Sequence, residues 1–388
     1  MISNEIILFT IILFVISFNR VYSKEEEEEM SLVDFQYNIF KTILFSKLQK
    51  NVVISPLSIH QLISSTANGA TGSTQNQMVS SLKSKNVVDL NREHIKLNTI
   101  MYVNSTLYNN FIIANGLFSK NTPKRDFIEF VTMKYNSTIE QLLNAEIVNQ
   151  WCMSKTKSRI PNVVFYTESM SILLVSAVSF SSQWKYPFKD YQSTKEKFNE
   201  NQTVSMMHQL YTSINYYENE NVKIIELPFI DSNITSVIIL PSNDIQIDIF
   251  LANLSNDIIK EYLSLLSPQD VKLSLPKFEL GNDIVLDDIM KQLGMIDAFD
   301  AEKAKFSSIN EQVNLYISQI KHKTFFKVDE KGIDITTLSS LPFKGVDITT
   351  EGVKEMNANH SFFFGIRHTL MPDIFILMCK IDQLASSI

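Results

Sequence analysis

Between Phe326 and Phe364 the chain reads FKVDEKGIDITTLSSLPFKGVDITTEGVKEMNANHSFFF, a stretch that narrows the possible folds more than any other. Phe326, Val328 and Glu330 fall on one face of an extended segment, with Asp329 and Lys331 on the other. Gly332 marks a hinge, because glycine alone passes freely between extended and left-handed backbone. Ile333, Asp334, Ile335, Thr336 and Thr337 then alternate apolar and polar and are β-branched apart from Asp334. They read as a strand with one face meant for a core. From Leu338 to Met356, with Pro342, Gly345 and Gly352, the chain reads instead as a long exposed loop. Loops of this length are as a rule functional or disordered. A core-seeking strand fused to a long loop describes a segment able to change places.

Other segments add local order. Ser31 to Lys47 carries Leu32, Phe35, Ile39, Ile43 and Leu44 at helical spacing, which predicts an amphipathic first helix. NVVISPLS (51–58) reads as a short buried strand broken at Pro56, leading into a helix that ends at the glycines of GATGST (69–74). Together with VDEKG and the C-terminal NHSFFFGIR, these strings resemble the serpin family. Asn115 to Phe118 (NGLF), VSAVSF (175–180) with Trp184, VIILP (237–241), LPKF (275–278), Leu293-Gly294 and Ala298-Phe299 extend the resemblance over nearly all the chain after residue 23.

The resemblance implies an α+β serpin fold: one domain over 24–388, a large central mixed sheet, two smaller sheets and about nine helices. It implies an exposed reactive-centre loop over about 332–356. Phe127 to Tyr135 and Ile147 to Ile160 resemble the helix that crosses the front of the main sheet. Ser55, Ser58, Ser176 and His322 match the family's shutter beneath that sheet, with His322 as a hydrogen-bond donor between strands. Ser176 stands where the family has Asn, and a hydroxyl offers fewer donors, so a lost bond of about 1 kcal/mol is expected to loosen the region. Trp184, Lys277 and Glu330 match the breach, where the loop begins to insert. A Lys–Glu pair shielded by an indole is worth more than the roughly 0–1 kcal/mol of an exposed pair.

Composition excludes several classes. The 388 residues are 45% hydrophobic and 20% charged, net −7, with no sustained Lys/Arg run, which argues against nucleic-acid binding. Ile6 to Phe18 is apolar apart from Thr10 and Ser17, too short for a comfortable membrane span, and Val21-Tyr22-Ser23 offers a cleavage site. A secretory signal over 1–23 and an extracellular, monomeric protein are expected. Asn104, Asn136, Asn201, Asn233, Asn253 and Asn359 each begin a glycosylation sequon. Cys152 and Cys379 read as two buried thiols, and the resemblance sets them apart, at a helix end and in the C-terminal strand. Two cysteines and six scattered histidines give no zinc pattern, and no metal or cofactor is expected.

No GxSxG, HExxH or phosphate loop occurs, so the chain reads as a protease substrate rather than an enzyme. The resemblance implies a suicide-substrate inhibitor in a 1:1 complex with a target endopeptidase. One departure bears on this. Inhibitory members carry small inward residues at the hinge, whereas this chain has Gly332, Ile333, Asp334, Ile335, Thr336 and Thr337. Bulk there can slow insertion, so a non-inhibitory binding or storage protein stays in play. The family's hinge spacing puts the reactive bond at Val346–Asp347. Lys344–Gly345, two residues earlier, offers a trypsin-like enzyme a base, and Phe343 before Lys344 suits a papain-like one.

Overall fold

The computed structural model describes residues 30–46, 50–103, 109–230, 233–333 and 352–384. The stretch read as a signal, 1–23, therefore lies outside the described residues, as do Asn104, the hinge residues Asp334 to Thr337 and the reactive-bond candidates Lys344 to Asp347.

The elements follow one another as α1 (Ser31–Ser46), β1 (Val52–Ile54), α2 (Pro56–Ala67), α3 (Gly72–Ser81), α4 (Val87–Val103) and β2 (Asn109–Ser119). Next come α5 (Arg125–Tyr135), β3 (Thr138–Gln141), α6 (Ala145–Lys155), β4 (Ile172–Gln183), β5 (Thr194–Phe198) and β6 (Gln202–Glu218). The middle of the chain forms β7 (Val222–Pro228), β8 (Ile234–Pro241), α7 (Ile247–Asn253), α8 (Asn256–Ser264), β9 (Ser267–Pro276) and β10 (Phe278–Val285). It closes with α9 (Asp287–Gln292), β11 (Ile317–Asp329), β12 (Gly332–Ile333), β13 (Lys354–Asn357), β14 (Phe362–His368) and β15 (Met371–Ile381).

Local sequence explains where these begin. Ser55 caps α2, its hydroxyl accepting from Ser58 N at 3.2 Å, and Pro56 occupies the first turn where a missing N–H costs nothing. In α1 the apolar positions Leu32, Phe35, Ile39, Ile43 and Leu44 are all buried. Phe127 to Tyr135 and Ile147 to Ile160 are not one helix: Asn136, in left-handed backbone, ends α5, and β3 intervenes before α6. Only α6 packs into the cluster on the central sheet, where Trp151 meets Phe118 edge-on at 5.1 Å beside Ala114, Cys152 and Val175. Lys157 and Ser158, both in left-handed backbone, end that helix short of Ile160.

The central sheet is mixed and six-stranded, in the order β10-β11-β12-β4-β2-β3, with β11 and β4 also pairing directly and in parallel. The second sheet has nine strands, β1-β15-β14-β8-β7-β6-β9-β13, with β5 on β6. It contains the two smaller sheets of the expected fold, made continuous by β6. A register break between Tyr211 and Ile214 divides that strand, with Ser213 in left-handed backbone at the break. The residues before the break pair with β5 and β9, whereas Tyr216 to Glu218 also pair with β7. Nine α-helices stand among the described residues. The two sheets meet through Phe278, whose ring lies 5.8, 6.1 and 5.7 Å from those of Phe326, Phe362 and Phe364.

The loop read over 332–356 is shorter at both ends. Gly332 and Ile333 are strand β12, and Lys354 to Asn357 pair with Val271 to Ser274 as β13, burying Met356. Among the sequons, Asn136, Asn201, Asn253 and Asn359 are exposed and Asn233 is half-buried.

Cys152 and Cys379 are free and buried, and burial pushes the Cys152 thiol up to about 12. A thiolate is the reactive form, so a mild disulfide reagent should titrate neither thiol in the native protein and both in guanidinium. Detection of a native reactive thiol would contradict this packing.

Candidate functional site

Strands β4 and β11 run side by side from Ile172 to Ser179 and from Ile317 to Phe325. Above Phe325 they part, and β12 fills the gap: Gly332 and Ile333 pair antiparallel with Gln183 and Ser182 on one side and with Asp329 and Val328 on the other. The hinge is thus already seated by two residues, and Ile333 is fully buried. Gly332 has φ +152°, and a Cβ there would stand 2.1 Å from Ser182 O. Only glycine fits so close to the neighbouring backbone.

Lower in the seam a chain of buried polar groups crosses from β11 to α2. Ser55 N–H donates to His322 Nε2 at 3.1 Å, which places the ring proton on Nδ1. His322 Nδ1 then donates to Ser176 Oγ at 2.9 Å, directly across the β4–β11 pairing. Ser58 Oγ donates to Asn115 Oδ1 at 2.9 Å, so the 2.8 Å contact between Ser176 and Ser58 must carry the Ser176 proton. Asn115 Nδ2 closes the chain on Ser58 O at 3.0 Å. The donors of this chain run in one direction, and Ser55, Ser58, Ser176 and His322 are completely buried. Burial pushes the His322 imidazole down to about 3, and a proton on Nε2 would face the Ser55 N–H, donor against donor.

The structure therefore brings together all four shutter candidates and adds Asn115, a role that the string NGLF alone does not reveal. Ser176, expected to make fewer bonds than an Asn, has its one hydroxyl fully used. That hydroxyl donates to Ser58 and accepts from His322, and Asn115 on β2, paired directly with Ser176, is bonded to the same Ser58.

The breach candidates also meet. Lys277 and Glu330 form an ion pair, and Ser193 Oγ donates to Glu330 Oε1 at 2.5 Å. Burial pushes the Glu330 carboxyl up, but the hydrogen bonds from Lys277 and Ser193 outweigh it and hold the group below its ordinary value. Trp184 Nε1 donates to Asp329 O at 3.0 Å, its indole stacked on Phe229 at 4.8 Å. The backbone is stitched as well, with Trp184 N–H to Lys331 O at 3.0 Å and Phe188 N–H to Glu330 O at 2.9 Å. Among the described residues no group of metal-ligating side chains and no helix long and apolar enough to cross a membrane occurs.

Residues 30–378 match the family model for Serpin (serine protease inhibitor). The leukocyte elastase inhibitor of Xenopus tropicalis is 30% identical over 362 residues, spanning 88% of this chain and 95% of that protein. Human serpin B8 is 28% identical over 352 residues, 86% of this chain and 93% of the relative. The native-state crystal structure of the thermophilic serpin tengpin superposes with a TM-score of 0.83 at 26% identity, covering 93% of this chain and 96% of that one.

Two outcomes follow from the geometry. Gly332→Ala should expel β12, so that peptides spanning Ser182–Trp184 and Asp329–Ile333 exchange amide hydrogens faster; unchanged protection would show that the close fit does not matter. His322 is neutral in the fold with a depressed pKa, so its contribution is complete above about pH 6.5 and fades as pH falls toward 3. His322→Gln should cost most stability at neutral pH and progressively less below pH 6.5, read by denaturant titration; a gap constant with pH would contradict the assigned ring.

Proposed function

The chain belongs to the serpin family, and on that premise we propose that it is a secreted, monomeric inhibitor that traps an endopeptidase as a suicide substrate. A protease serine or cysteine attacks the carbonyl carbon of the reactive residue and forms an ester or thioester. The peptide bond breaks, and the following residue leaves as a protonated amine. The loop segment on the N-terminal side then continues the strand that β12 has begun and draws the acyl-linked enzyme with it. Loop insertion of the serpin kind is strand addition driven by the release of stored strain.

The observation that carries this reading is the seated hinge. Bulk at Ile333 could stall insertion, yet this side chain already sits buried between β4 and β11. Strands β4 and β11 are parallel, so an incoming strand antiparallel to both exchanges one slanted ladder for two perpendicular ones. Continuing the register of Ile333 with Ser182, each loop residue steps back along β4 until Phe343 stands opposite Ile172, the first residue of that strand. Either candidate bond, Lys344–Gly345 or Val346–Asp347, would then bring the enzyme to the far end of the sheet. Ladder bonds contribute about 0.5–1.5 kcal/mol each and a buried isoleucine about 1.5–3, so insertion supplies on the order of 10 kcal/mol.

Val346 suits a small pocket of the elastase type, in keeping with the name of the Xenopus relative; Lys344 suits a trypsin-like pocket, and Phe343-Lys344 a papain-like enzyme. The second reading, a binding protein whose loop is cut without trapping, draws on Ile335, bulky where inhibitors carry small residues.

Incubation with elastase, trypsin and papain separately, followed by titration of residual activity, decides between them. Trapping predicts stoichiometric loss of at least one activity, with a band at the summed mass on a denaturing gel for a serine enzyme. Lys344→Ala should abolish trapping of trypsin and papain, and Val346→Asp that of elastase. Cleavage with every enzyme left active, and with no rise in the melting temperature of the cut protein, would decide for the binding-protein reading.

A further inference from the structure

Beside the departure point of the loop lies a patch that trapping leaves unused. Lys185 and Lys189, both exposed, sit on the connection between β4 and β5, and each ammonium stands over a tyrosine ring, 5.6 Å from Tyr186 and 5.9 Å from Tyr191. Neither lysine is ion-paired with a carboxylate among the described residues. Three other lysines near the two ends of the loop are paired with carboxylates: Lys277 with Glu330, Lys354 with Glu218, Lys272 with Glu355. In a chain of net charge −7, this connection carries two exposed cations against the one carboxylate of Asp190, a small local excess of positive charge. Tyr191 is 80% exposed, a large ring kept in water on a short turn. An exposed tyrosine is a common anchor of protein contacts, and lysines beside it that carry no ion pair can steer an acidic partner toward it.

The placement is fixed. Lys185 N–H donates to Pro228 O at 3.0 Å, and the bonds from Trp184 and Phe188 reach Lys331 and Glu330, the residues just before the hinge glycine. The patch therefore keeps a set position relative to the base of the loop. A sulfated polymer calls for a continuous run of cations, whereas the exposed Asp190 and the two tyrosines interrupt this one.

We propose that Lys185, Lys189 and Tyr191 form a docking surface for an acidic patch on the target protease, which they grip before its active site engages the loop. This rests on the trapping reading, and the two are separable. Anionic and cationic trypsin share a primary pocket and differ in surface charge. With the active-site serine replaced by alanine, each can bind the full chain without cleaving it.

Binding of the inactive anionic form should weaken steeply with salt and fall about tenfold or more in Lys185→Glu/Lys189→Glu, with the cationic form bound more weakly throughout. Tyr191→Ala should weaken binding without changing its salt dependence. An unchanged melting temperature in the variants excludes misfolding as the cause. Equal binding of both forms, or binding indifferent to the double reversal, overturns the proposal. Retention on a sulfated polysaccharide that the reversal abolishes, with no binding of trypsin, also overturns it by assigning the surface to a polymer. Salt-dependent docking in a protein that traps no active enzyme would leave the surface standing and remove the trapping reading instead.

Discussion

A side-chain hydrogen bond crosses the seam at mid-height, from His322 to Ser176, and ties β11 through β4 to the helix beneath the sheet. It is directional: a backbone N–H on one side dictates the tautomer of the ring, and each hydroxyl beyond passes its own proton onward to Asn115. No member can reverse its role without leaving a buried donor facing a donor. The seam is therefore held shut by a set of groups that are satisfied together or not at all.

Around that bond the two ends of the seam behave differently. At the lower end, β4 and β11 pair directly and in parallel. At the upper end they are already parted by Gly332 and Ile333, and the Lys277–Glu330 pair with the Trp184 indole fixes the chain just before the gap. The parallel pair is thus partly opened by an antiparallel wedge at one end and closed at the other. The polar chain stands between the wedge and the closed remainder.

Much of this is legible in the residues. The alternation of Phe326, Val328 and Glu330 describes a face that is buried in the fold, and the freedom of glycine at 332 coincides with a contact only glycine allows. The motif strings place Ser55, Ser58, Ser176 and His322 as well as Trp184, Lys277 and Glu330, because each lies within a short recognisable string of neighbours. What such a pattern cannot supply is a neighbour across strands. Ser176 reads as an isolated hydroxyl because its network neighbour Asn115 lies 61 residues earlier, and only the β2–β4 register shows them adjacent. The division of α5 from α6 is hidden for a similar reason, since it depends on one residue in left-handed backbone, Asn136. Met356 reads as loop because a strand of four residues with polar neighbours carries almost no period-two signal.

The pairing of β1 with β15 has a consequence in time rather than in space. Val52 lies against Lys380 and Ile54 against Met378, so a strand made early finds its partner only after most of the fold has been synthesised. Strands β14 and β15 sit in the interior of the nine-stranded sheet, not at its rim. A nascent chain lacking them has a gap between β1 and β8. The molecule must wait, with nearly all of its other strands already made, for the segment beyond Phe362 before that sheet can close over the core.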